Sequence, residues 1–131
     1  MIIMTKTEID SSPILIVTAI RKAFPDALTR VLDLSSEKWL TCIYEISVSP
    51  ISEPSFSICL SPNKKGFFLD GLNDQNERAA VAIRGVSTDT GPMIAFDDVG
   101  SVFVDLVLGM TLKDVKNGWR SWDVRDREVW S

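Results

Sequence analysis

The stretch WLTCIYEISVS, residues 39–49, decides the fold. Leu40, Cys42, Tyr44, Ile46 and Val48 fall on one side of an extended chain. Thr41, Glu45, Ser47 and Ser49 fall on the other, with Ile43 the exception. A period of two with one apolar side marks an antiparallel strand covered on one face. The same alternation returns in Ser55–Ser61, where Phe56, Ile58 and Leu60 point inward, and Pro50 and Pro54 bracket the loop between. Pro62-Asn63-Lys64-Lys65-Gly66 reads as a hairpin turn in which Gly66 supplies the positive φ. Phe67–Leu72 follows as a strand, and Leu28–Leu34 precedes the whole run, joined to it by the turn Ser35-Ser36-Glu37-Lys38. Four strands in sequence make a meander.

Helical signals flank these strands. Over residues 12–24, Ser12 can cap and Pro13 suits a first helical position. Thr18, Arg21 and Lys22 form a polar stripe there, with Ile16, Ile20, Ala23 and Phe24 on other faces. After the meander, Asp74-Gln75-Asn76-Glu77 has the form of a capping box. It opens a helix to about Arg84, with Ala79, Ala80, Ile83 and Val86 inward and Gly85 a stop. Met93–Phe96 reads as a short strand. Residues 98–110 fit both patterns. As a helix, Val99, Phe103, Leu106, Val107 and Met110 share a face; as a strand, Val102, Val104, Leu106 and Leu108 alternate with their neighbours. Asp98 as a cap and Gly109 as a stop tilt the choice to helix. Thr111 then caps a short helix ending near Gly118, and residues 119–131 show no period. The expected architecture is one α+β domain over residues 1–131. Its antiparallel meander sheet has about four to five strands, with the N-terminal helix and the C-terminal helices packed on it.

Composition excludes several chemistries. There is no histidine, so triads, dyads and zinc sites that use imidazole are ruled out. Glycines are too scattered for a phosphate-binding loop. Cys42 and Cys59 form no CxxC pair, and the strand pattern puts Cys42 in the core and Cys59 on the other face, unpaired. The first residues lack the basic region of a signal peptide, and the apolar run Ile14–Val17 is too short to span a bilayer, which points to the cytoplasm. No cofactor or metal is expected.

Charge is the main functional signal. The net charge is −4. Residues 66–112 carry Asp70, Asp74, Glu77, Asp89, Asp97, Asp98 and Asp105 against Arg78 and Arg84 alone, a local balance of −5. Such a surface repels nucleic acid and attracts basic proteins, and it also serves plain solubility. Asp97-Asp98 reads as a carboxylate pair, or as a solvated turn and helix cap. Trp119, Trp122 and Trp130 are interleaved with three arginines and three acids. That mixture suits a protein interface or a tail packed back on the core better than a phosphate track.

The size, acidity, missing histidine and helix–meander–helix layout, with FVDLVLGMTLKDVKNGW at 103–119, resemble the small immunity proteins of bacterial contact-dependent inhibition and related polymorphic toxin systems. The resemblance implies a non-enzymatic protein in tight, one-to-one contact with a cognate toxin domain, often a nuclease, whose basic cleft an acidic surface covers. Neither nucleic acid nor membrane is an expected partner. The residues picked for that contact are Asp70, Asp89, Asp97, Asp98 and Trp122. A small-molecule-binding or regulatory α+β domain, a carboxylate-only enzyme and a phage-encoded protein inhibitor are the alternatives.

Overall fold

A computed structural model of the protein describes residues 1–10, 12–36, 41–88 and 90–130. The expected meander is present: β2 (Leu28–Asp33), β3 (Tyr44–Ser49), β4 (Phe56–Leu60) and β5 (Gly66–Leu69) pair antiparallel in sequence order. The sheet does not stop there. β1 (Ile2–Thr5) pairs with β5 on one side and with β6 (Met93–Phe96) on the other, and β7 (Val102–Leu106) and the two-residue β8 (Arg120–Ser121) complete the order β2-β3-β4-β5-β1-β6-β7-β8. Among the described residues the sheet thus has eight strands, not four to five. Residues 2–5, an apolar and β-branched run too short to show a period, sit at its centre.

Residues 98–110 are the largest correction. The helix reading fails: Val102–Leu106 is a strand whose Val104 and Leu106 are buried in the core and whose Asp105 faces out. Register with β6 settles the matter, because Ala95↔Val104 and Met93↔Leu106 bury alternate residues on a sheet that is already there. Asp98 therefore caps no helix. It sits with Asp97 in the turn between β6 and β7, which Gly100 closes at φ +69°.

The helices cover one face. α1 (Ile14–Ala23) buries Ile16, Val17, Ala19 and Ile20, as its stripe required, with Thr18, Arg21 and Lys22 outside. Pro13 is its N-cap, and no side chain caps it, so Ser12 does not act as expected. α2 (Asn73–Val86) begins earlier than the capping-box reading had it. Leu72 is the N-cap, and its N–H donates to the Gln75 side chain at 3.0 Å, which leaves Asp74 inside the first turn. α3 (Leu112–Gly118) is capped by Thr111, which accepts from the Asp114 N–H, as the sequence indicated. Inward side chains of β1, of β3 to β7 and of α1 to α3 form one core that includes Ile3, Phe24, Ile46, Ile58, Phe67, Ile83, Val104 and Val115.

On the opposite face the last segment folds back. Trp122 stacks on Phe103 at 4.2 Å between ring centroids and meets Phe96 edge-on at 6.3 Å. The tail without a period holds α4 (Val124–Trp130), and Lys6 lies over the Trp130 ring.

Two local readings also change. Gly66 does not supply the positive φ; Lys64 does, at 61°. Gly66 is needed because a Cβ there would stand 2.7 Å from the Ile3 carbonyl oxygen of the neighbouring strand. Cys42 is buried, as expected, but lies outside the regular strand. The Ile43 N–H bonds Leu60 O at 2.8 Å, one position out of register with the β3–β4 ladder. This bulge ends the regular ladder short of Cys42. Cys42 and Cys59 are both free. The start of the expected 39–49 strand, residues 39 and 40, lies outside the described residues, and regular pairing begins at Tyr44.

Candidate functional site

Where the β6–β7 turn meets the start of α2, a cleft of about 460 Å³ opens, lined by Met1, Asn73, Glu77, Asp97, Asp98 and Trp119 among others. Its floor depends on Gly71. The buried Asn76 side chain clasps that residue from both sides: the Gly71 N–H donates to Asn76 Oδ1 at 2.9 Å, and Asn76 Nδ2 donates to the Gly71 carbonyl at 3.0 Å. A Cβ at position 71 would lie 2.9 Å from that same oxygen.

Each carboxylate of the cleft is held differently. Asp97 accepts from the Ser101 hydroxyl at 2.6 Å, the Ser101 N–H at 2.7 Å and the Val102 N–H at 3.3 Å. These bonds, the Ser101 hydroxyl foremost, keep its carboxyl below the usual range. Asp98 is 83% exposed, and its Oδ1 accepts from the Met1 amino group at 2.7 Å. The same amino group donates to the Leu69 carbonyl at 2.9 Å. Glu77 is the buried one, with a side chain 9% exposed. Its Oε2 accepts from Trp119 Nε1 at 3.0 Å and its Oε1 from Lys116 Nζ at 3.1 Å. Lys116 also reaches Asp74 at 3.0 Å, and the two carboxylates, Asp74 the stronger, hold its ammonium above the ordinary lysine range.

Of the residues picked from sequence, Asp97 and Asp98 come together in this cleft. Asp70 is not among the residues that line it: its carboxylate turns to β4 and accepts from the Ser57 N–H at 2.6 Å and the Ser57 hydroxyl at 2.9 Å. Trp122 is not in the cleft; it is half-buried on the far face of the sheet, over Phe103. Asp89 lies outside the described residues. Met1, Asn73, Glu77 and Trp119 were missed. Glu77 had the look of a cap, and Trp119 carried a signal only as part of the Trp-Arg cluster.

The acidic stretch 66–112 is not a bare negative face. Asp74 and Glu77 meet Lys116, Asp105 meets Arg120 at 3.1 Å, and Asp98 meets the Met1 amine. Every one of these cations lies outside the stretch. Arg78, from within it, pairs with Glu53 at 2.8 Å and also reaches Asp74, whereas Arg84 spends its Nη1 on Ser87, Thr90 and Gly91.

Chemically, the cleft is a set of carboxylate acceptors around an indole. A carboxyl held low stays charged at neutral pH and is a poor proton donor, while each carboxylate can accept several hydrogen bonds at once. A Lys or Arg side chain is the complement of that arrangement. No group of three or more metal-ligating side chains occurs among the described residues, and no described helix is long and apolar enough to cross a membrane. Comparison with protein-family models, with curated proteins and with solved structures returns no match.

Proposed function

We propose that this protein is a cytoplasmic immunity protein that binds and neutralises a cognate bacterial toxin domain, a nuclease in the simplest case, by covering its basic active-site cleft. One observation carries the reading. Asp97, Asp98 and Glu77 converge on a single cleft walled by Trp119. A basic side chain of the partner enters there, between carboxylates and an indole, and the aromatic wall adds cation–π attraction. Surrounding acids speed the encounter with a cationic surface, and the filled cleft slows its release. Asp98 is the best placed of the carboxylates, because it is exposed and uses one oxygen on the Met1 amine.

The test is co-expression with the protein encoded by the adjacent reading frame, followed by calorimetric titration of the pair. The double variant Asp97→Asn, Asp98→Lys keeps an acceptor for the Ser101 N–H while reversing the exposed charge. It should weaken binding at least tenfold and flatten its salt dependence. Wild-type affinity in that variant would exclude the cleft as the docking site. The cleft volume also falls in the range of small-molecule pockets, about 300–1,000 Å³. A melting shift with a free cationic amine, and none with the neighbouring protein, would favour the small-ligand reading instead.

A further inference from the structure

We propose that the β2 edge joins a second copy of this chain across a two-fold axis, making one continuous sheet from two molecules. β2 ends the sheet order, and among the described residues it pairs with β3 alone. Five of its six residues are exposed, so the strand is open on both faces. Leu28 is 80% exposed, Leu32 49% and Val31 40%. An edge of this kind invites pairing, and natural sheets guard theirs with proline, charged side chains, bulges or a covering element. Leu28-Thr29-Arg30-Val31-Leu32-Asp33 has neither proline nor lysine, and its two charges, Arg30 and Asp33, are of opposite sign and can be matched by a partner strand.

The direction of the backbone groups sets the register. The Leu34 N–H donates to the Ile43 carbonyl at 3.0 Å, on the β3 side. Alternation along an antiparallel strand then turns the N–H and C=O groups of residues 28, 30 and 32 toward β3 and those of Thr29, Val31 and Asp33 toward the open edge. A two-fold axis normal to the sheet keeps each side chain on its own face, so Val31 opposes Val31 of the second copy and Thr29 opposes its Asp33. That register uses all three outward N–H groups and all three outward carbonyls of each strand.

Charge selects a second copy as the occupant. Arg21 Nε on α1 donates to Thr29 Oγ1 at 2.7 Å, on the inner face of β2. The register brings the Asp33 carboxylate of one molecule opposite that Thr29, and so next to the Arg21 guanidinium of the other, twice by symmetry. Arg30 and Asp33 leave the strand neutral, and no residue opposes one of like charge. A cationic partner of the acidic cleft has no reason to come here, against Arg21, Lys22 and Arg30. The other end of the sheet, β8, is two residues long, so head-to-tail addition gains little and the assembly closes at two.

Analytical ultracentrifugation of the full chain, from micromolar to millimolar concentration, tests this. Wild type should show a reversible monomer–dimer equilibrium. Val31→Pro removes an N–H that points away from β3 and should weaken dimerisation at least tenfold with the dilute-solution melting temperature unchanged. Val31→Lys, which keeps the backbone intact, should do the same, and Asp33→Asn should weaken it severalfold. A wild type that stays monomeric throughout, or valine variants that dimerise like wild type, would overturn the proposal.

Discussion

Glu77 is the point at which structure and candidate site meet, and its removal has a calculable effect. In Glu77→Ala the Trp119 Nε1–H, now bonded at 3.0 Å, loses its acceptor in a half-buried setting. Leaving a buried donor unmade costs about 1–3 kcal/mol. The lost Lys116 contact adds little, because that ammonium is exposed and keeps Asp74 at 3.0 Å. We therefore expect a loss of about 2 kcal/mol in urea-induced unfolding. For a chain of this length, that is a fall of roughly 6–10 °C in melting temperature. A double-mutant cycle isolates the bond. Trp119→Phe removes the donor and keeps most of the ring, so in that background Glu77→Ala should do much less harm. The two changes should couple by about 1–2 kcal/mol. Additivity of the two substitutions to within about 0.5 kcal/mol would refute the claim that this hydrogen bond ties α2 to the segment after α3.

Trp122→Ala should uncover Phe103, which is 1% exposed, and lower stability by about 2 kcal/mol, between a stacking term and full loss of a core aromatic; a change under about 0.5 kcal/mol would mean that the stack is incidental. The Cys59 thiol is pushed up to about 12, first by burial and then by the Cys42 thiol. Its alkylation by iodoacetamide at pH 8 should therefore run orders of magnitude slower in the native protein than in urea, and equal rates would show an open thiol. The carboxyls of Asp74, Asp97 and Asp114 are held low by Lys116, by the Ser101 hydroxyl and by the Thr111 N–H respectively. Their contribution is thus complete above the ordinary carboxylate range and lost as pH falls through the depressed folded values. Unfolding free energy should be level from about pH 5 to 7, where a chain without histidine has little to titrate, and drop below about pH 4. A slope between pH 5 and 7 would contradict it.

The meander was legible because Tyr44–Ser49 and Phe56–Leu60 each bury one face, and a strand with one buried face writes a period of two into its own residues. The polar stripe of α1 and the cap of α3 are local for the same reason. Ile2–Thr5 was missed because a four-residue strand has no room for a period, and only its pairing with both β5 and β6 makes it central. Residues 102–106 fit a helix and a strand equally, and the register against β6 chose between them.

Charge divides the same way. Sequence alone determined the composition of the chemistry: many carboxylates, three tryptophans close together near the end and no imidazole. Tertiary structure decided which carboxylates share a cleft and which are neutralised, because Met1, Lys116 and Arg120 reach Asp98, Glu77 and Asp105 from 97, 39 and 15 residues away along the chain. Coulomb attraction depends on distance in space, and a count of charges along a segment contains no such distance.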